Sequence, residues 1–147
     1  MIIQLLPDQI PRYWEDIKQS LYEAAPPLMH QAPDKYSNIL LSLLAGRMQC
    51  WVSADTTKDP HEILGVLTTT IVSDACSGTK LLLLFSGYST GNVDHEFWLE
   101  GMEAFKRFAK AKGCNMIGVY TSIPYMVEKI KKLGASTETF GFWVLED

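Results

Sequence analysis

Apolar residues return every three or four positions at Trp14, Ile17, Leu21 and Ala24, the spacing of one buried helix face. Pro11 suits the start of that helix, and the run APP at 25–27 stops it. A second helical stretch carries Tyr36, Ile39, Leu40, Leu43 and Leu44, with Asp34 placed as its N-cap and Gly46 just past its end. The opening MIIQLL reads as a short strand ended by Pro7. Three more strands are expected at 48–54, 63–73 and 79–88, joined by the polar turns DTTKDPHE and DACSG. Connections this short make them an antiparallel meander.

The pattern then changes period. From His95 to Lys112, Phe97, Gly101, Ala104, Phe105 and Phe108 share one face, with acids early and bases late in the stretch. Gly113 is placed as the residue past that helix, and NMIGVYT (115–121) reads as a buried strand. A short helix over 124–133 closes at Gly134, and TETFGFWVL (137–145) alternates as a final strand. The order is β-α-α-β-β-β-α-β-α-β. The strands flanking the long helix form a crossover and should run parallel. The fold class expected is α/β (α+β): one domain over 1–147, with a mixed, mostly antiparallel sheet and helices on both faces.

Composition narrows the function classes. A net charge of −4 argues against nucleic acid or an anionic membrane as partner. The longest apolar run, Leu81 to Phe85, is too short to span a bilayer, and the start lacks the basic n-region of a secretory leader. Cys50, Cys76 and Cys114 are odd in number and scattered, which suits reduced thiols in a cytoplasmic protein. His61 and Glu62 lack the second histidine of a zinc helix, so no metal is expected.

One motif invites chemistry. GYSTG (87–91) matches the G-x-S-x-G nucleophile elbow between a strand and a helix. The elbow needs an acid and then a histidine downstream. The histidines are His30, His61 and His95, and His95 falls only six residues past Ser89. Ser89 is therefore not read as a nucleophile.

The element order, the W-x-x-I-x-x-x-L-x-x-A run (Trp14, Ile17, Leu21, Ala24), the stretch AKAKGCNMIGVYT and the later KKLGA (131–135) together resemble the GNAT superfamily of N-acetyltransferases. The likeness covers nearly the whole chain in pattern and rests on topology more than on signature residues. It implies transfer of an acyl group from acetyl-CoA, or another acyl-CoA, to an amine on a small molecule or protein. It also implies a gap between the strand at 79–88 and the strand at 115–121, where extended pantetheine pairs with backbone. The pyrophosphate then sits at the amino end of the long helix, where free N–H groups and the helix dipole meet it. On that reading Phe85, Ser86, Gly87, Ser89, Thr90, Gly91, Asn92 and Ser122 hold the donor. Tyr88, Tyr120 and Tyr125 are the hydroxyls offered for catalysis.

Two departures from the family pattern stand out. The glycine-rich phosphate turn falls on VDHEFW (93–98), which has no glycine and carries Asp94 and Glu96. The family's thiol-donor tyrosine falls on Ile130. The alternative reading is a catalytically inactive binding or structural module of the same fold, with the closing strand as a route to a homodimer. Trp51, Trp98 and Trp143 are expected to fill the core or the sheet faces, and KIKK (129–132) to be a solvated helix face.

Overall fold

The computed structural model describes residues 2–24, 33–55, 62–89, 95–143 and 145. Strand β1 (Ile2–Leu5) leads through a short 3-10 turn into α1 (Ile10–Glu23), with Pro11 in its first turn. Helix α2 (Lys35–Leu44) follows, then β2 (Met48–Asp55), β3 (Glu62–Ser73) and β4 (Lys80–Ser89). Helix α3 (His95–Ala111), β5 (Met116–Val119) and α4 (Pro124–Lys132) complete the order. Asp34 occupies the N-cap position of α2, but its side chain makes no capping bond.

The five strands lie in sequence order, β1-β2-β3-β4-β5. The first three pairings are antiparallel, and β4 pairs with β5 in parallel, as the crossover through α3 requires. Alternation sends successive side chains to opposite faces. On one face Leu5, Cys50, Val52 and Val66 pack with Ile10, Ile17 and Leu21 of α1 and Ile39 and Leu43 of α2. On the other, Trp51, Leu82 and Leu84 pack with Phe105 and Ala109 of α3. The mixed sheet with helices on both faces is the architecture the pattern implied.

Helix α3 ends where β5 must begin. Gly113 takes φ +77°, a conformation that costs a side chain about 1–2 kcal/mol. That turn lets the Cys114 N–H donate to the Ala109 carbonyl at 2.8 Å. Cys114 is buried against the α3 layer, and Asn115 bonds Lys80 from both its backbone and its side chain. The sheet register between β4 and β5 therefore starts from this reversal.

The closing strand is a correction. Among the described residues of 137–145 there is no strand, and the sheet has five members. Trp143, expected in the core, is 87% exposed, and Leu145 is 88% exposed. Period-2 alternation states which side chains could share a face. It does not supply a neighbouring ladder, and β5 offers only four paired residues.

Trp51 does reach the core, in edge contact with Phe105 and Phe108, both at 5.2 Å between ring centres. Its indole N–H donates to Thr69 Oγ1 at 3.0 Å, and that hydroxyl donates to Gln49 Oε1 at 2.8 Å. A threonine that sequence pattern marks only as a β-former thus satisfies two other buried polar groups. Replacing Thr69 with Val keeps the shape and strands both partners, so Thr69→Val should lower unfolding stability by about 1–3 kcal/mol in urea titrations. A neutral substitution would show that the hydroxyl chain is not holding this face.

The thiols divide by environment. Cys50 is fully buried and its thiol is pushed up to about 12 by desolvation, while Cys76 is exposed in the β3–β4 turn. A disulfide reagent at mildly alkaline pH should modify Cys76 in the native protein and reach Cys50 only after denaturation. Rapid native labelling that survives replacement of both Cys76 and Cys114 by serine would contradict the packing described for β2.

Candidate functional site

Strand β4 belongs to two ladders at its start and to one at its end. Leu81 to Leu84 pair with Met116 to Val119 on one side and with β3 on the other. The Tyr120 N–H then donates to the Leu84 carbonyl at 3.1 Å. Past that bond β4 continues to Ser89 in register with β3 alone. Among the described residues the β4–β5 pairing ends there, slightly later on the β5 side than the expected opening between 85–88 and 118–121, since Gly118 and Val119 are still paired.

A bulge explains why the two strands part here. Thr68 lies opposite Ser86 and Thr69 opposite Leu84, so Phe85 is the extra residue of β4. Such an insertion bends the strand and increases its twist. Phe85 packs on the α1–α2 side, and Ser86 Oγ lies 2.6 Å from Oγ1 of Thr68, which is wholly buried. The Phe85–Ser89 edge facing away from β3 is thus left outside the β5 ladder, with backbone groups able to pair with an extended ligand. On the other side, Thr121 Oγ1 accepts from the Ile123 N–H at 3.1 Å, and Pro124 opens α4. That local turn carries the chain out of the sheet.

Of the donor-site candidates, Phe85 and Ser86 form the bulge and Ser89 ends β4 opposite Gly65. Gly87 has a packing reason of its own: a Cβ there would lie 2.9 Å from Leu67 Cδ2. Ser122 is exposed in the link between β5 and α4. Thr90, Gly91 and Asn92 lie outside the described residues. Ser89 is the last residue of β4, and His95 lies against Lys129 of α4.

The three tyrosines come from three places. Tyr88 is near the end of β4, Tyr120 directly follows β5, and Tyr125 lies in the first turn of α4. All are exposed, Tyr125 most. Tyr120 and Tyr88 stand on the two strands that part, while Tyr125 stands on the helix that follows. Phe140 stacks on Tyr120 with ring centres 6.1 Å apart. A surface depression of about 260 Å³ lies elsewhere, between α1 and α2, lined by Glu15, Lys18, Gln19, Tyr22 and Tyr36. None of the candidates lines it.

The amino end of α3 holds a residue that sequence reading passed over. Lys129 Nζ, from α4, lies 3.2 Å from Nδ1 of His95, the first residue of α3, and 5.9 Å from the ring centre of Trp98. His95 and Trp98 are three apart and share a helix face. The indole Nε1 of Trp98 has neither solvent nor a hydrogen-bond partner among the described residues. An ammonium over that ring is favoured by its quadrupole. Asp94 and Glu96 alone suggested that this end would repel a phosphate; α4 supplies the opposite charge. The signal was present in KIKK, but a basic run on a short helix does not say which of its lysines turns toward another element.

No helix among the described residues is long and apolar enough to cross a membrane. No protein-family model and no curated protein matches the chain. Solved structures do match. An aminoglycoside acetyltransferase from an uncultured soil metagenomic sample superposes with a TM-score of 0.72 at 16% identity, covering 100% of this chain and 96% of that one. A predicted acetyltransferase from Clostridium acetobutylicum, solved with acetyl-CoA, gives 0.68 at 11% identity, covering 99% and 95%. A ribosomal-protein-alanine N-acetyltransferase from Brucella melitensis gives 0.66 at 9% identity, covering 100% and 99%. Over its whole length, the chain has the fold of the GNAT-type acetyltransferases, at a sequence distance that leaves its chemistry to be argued from its own residues.

Proposed function

We propose that the protein transfers an acyl group from an acyl-CoA thioester, acetyl-CoA in the simplest case, to a primary amine. The observation that carries this reading is the end of the β4–β5 ladder at Leu84 and Tyr120, with the parallel strands joined through α3. Strand backbone left outside the β5 ladder suits the amide groups of an extended pantetheine arm. The amino end of α3, with Lys129 and His95 beside it, suits its phosphates. Structural neighbours solved with acetyl-CoA or CoA support the same donor.

The donor supplies an activated acyl carbon and a thiolate leaving group. The chain's own contributions follow from where its groups lie. The Phe85 to Tyr88 backbone orients the donor along β4, and the bulge fixes that backbone through the Thr68–Ser86 contact. Lys129 and the α3 amides oppose phosphate charge. On this reading Ser89 belongs to the phosphate site together with Thr90, Gly91 and Asn92, which follow it in sequence, and Ser122 belongs to the donor site as well. As the amine nitrogen bonds to the acyl carbon, the carbon–sulfur bond breaks, the amine gives up a proton, and the departing sulfur takes one. On this reading Tyr120, which follows the last paired residue of β5, is that proton donor, and Tyr88 and Tyr125 face the acceptor. The acceptor is a free amine on a small molecule or protein.

Titration with acetyl-CoA should raise the melting temperature, corresponding to about 2.7 kcal/mol of stabilisation at a hundredfold excess over the dissociation constant. Lys129→Glu should weaken that binding on the order of tenfold, about 1.4 kcal/mol. Absence of any shift at millimolar donor would favour the inactive-module reading, and a shift unaffected by Lys129→Glu would place the phosphates elsewhere.

Tyr120→Phe should lower kcat by about a hundredfold with little change in donor KM, the signature of a lost proton donor. A fall in KM-dependent binding alone would reassign Tyr120 to the wall of the site.

A further inference from the structure

An amine attacks a thioester only with its lone pair free, so it must reach the acyl carbon uncharged. The strands that flank the end of the β4–β5 ladder hold no charged side chain to take its proton. None occurs in 81–89 and none in 116–127, in a chain where 20% of residues are charged. The first charges after that stretch are engaged elsewhere: Glu128 pairs with Lys131, and Lys129 meets His95 of α3.

Aromatic rings stand there instead. Tyr120 stacks on Phe140 with planes 26° off parallel, and Phe140 stacks on Phe142 with planes 27° off parallel and ring centres 6.3 Å apart. None of the three belongs to either core cluster. The row leads from the tyrosine assigned to the departing sulfur outward into solvent, where Phe140 is 64% exposed and Phe142 46%. Tyr125 is exposed as well. Contiguous apolar surface of this kind marks a ligand groove or a contact site. Because Phe140 touches Tyr120, the row is continuous with the assigned proton donor.

Resting on the acyl transfer proposed above, we infer that the acceptor is a monoamine carried on an aromatic ring, and that Phe140 and Phe142 select it. A flat ring extends a row of near-parallel rings by offset stacking. A polycation would bring several ammonium groups to strands that offer no carboxylate, and their lost hydration would go uncompensated. Glu138 is the only acid in 133–145, and one carboxylate does not balance several cations. The same surface prepares the nucleophile. Apolar walls disfavour the charged form of an amine and lower its pKa, so the free base is populated without a dedicated protein base. The amine nitrogen then bonds to the acyl carbon as the carbon–sulfur bond breaks. Its surplus proton passes to water, and the departing sulfur takes a proton from Tyr120.

Turnover of a panel of amines with acetyl-CoA by the full chain, read as acetylated product by mass spectrometry, tests this. Phenethylamine should exceed n-butylamine, spermidine and an aminoglycoside in kcat/KM, by about tenfold over n-butylamine. Phe140→Ala should raise KM for phenethylamine by about tenfold, while KM for acetyl-CoA and turnover of n-butylamine stay unchanged. Phe140→Tyr, which keeps the ring, should restore it. Highest activity on spermidine or the aminoglycoside overturns the inference. So does an equal loss on every amine in Phe140→Ala, which would make the ring a support for Tyr120 alone. Sedimentation that changes in Phe140→Ala without a change in KM overturns it too, since a second copy would then cover the rings. Acetyl-CoA binding by thermal shift with no turnover of any amine overturns the inference and leaves the donor site standing. Absence of donor binding overturns the acyl transfer itself.

Discussion

The carbonyl of Leu84, accepting from the Tyr120 N–H, marks the place where β4 passes from two ladders to one. Everything assigned to the site depends on that termination. If the parallel pairing ran on to Ser89, the backbone groups that could hold an extended ligand would be satisfied within the sheet. The bulge at Phe85 makes termination the stable arrangement. It sets two residues of β4 against one of β3, bends β4 and turns both Phe85 and Ser86 toward α1. Gly87 then lies against Leu67, whose Cδ2 would have to shift to admit a Cβ there.

Electrostatics at the end of α3 follow from a second meeting of elements. The dipole and the unpaired amides of a helix start favour an anion, and the sequence places acids there instead. Lys129 brings a cation to that end from a different helix, seated over Trp98 and against His95. The same lysine is part of a basic cluster at the end of α4, where Lys131 pairs with Glu128 on the surface. A surface pair of that kind contributes little. Lys129 differs because another element receives it.

Much of the fold was readable along the chain, for identifiable reasons. Helices α1 and α3 carry apolar stripes over several turns, and Gly46, Gly113 and Gly134 mark helix ends with positive φ. The meander was readable because its connections are too short for crossovers. The site was less readable. The end of the β4–β5 ladder could be located to within a residue or two, because it follows from topology. Ser86, Gly87 and Ser89 were identified as a group but not told apart: Gly87 serves packing, Ser86 a buried contact, and Ser89 the end of a ladder. Lys129 was missed because its partner is thirty-four residues away in sequence.

The sequence by itself determined what depends on near neighbours: helix faces, turn residues, strand alternation, and the order that makes β4 and β5 parallel. Only the tertiary structure decided what depends on a distant partner. Thr69 became the shared hydrogen-bond group of Trp51 and Gln49, and Lys129 the cation at the start of α3. The alternating tail, strand-like in every local respect, stayed outside the sheet. A side-chain pattern specifies a face, whereas a strand exists only where another backbone lies alongside to take its hydrogen bonds.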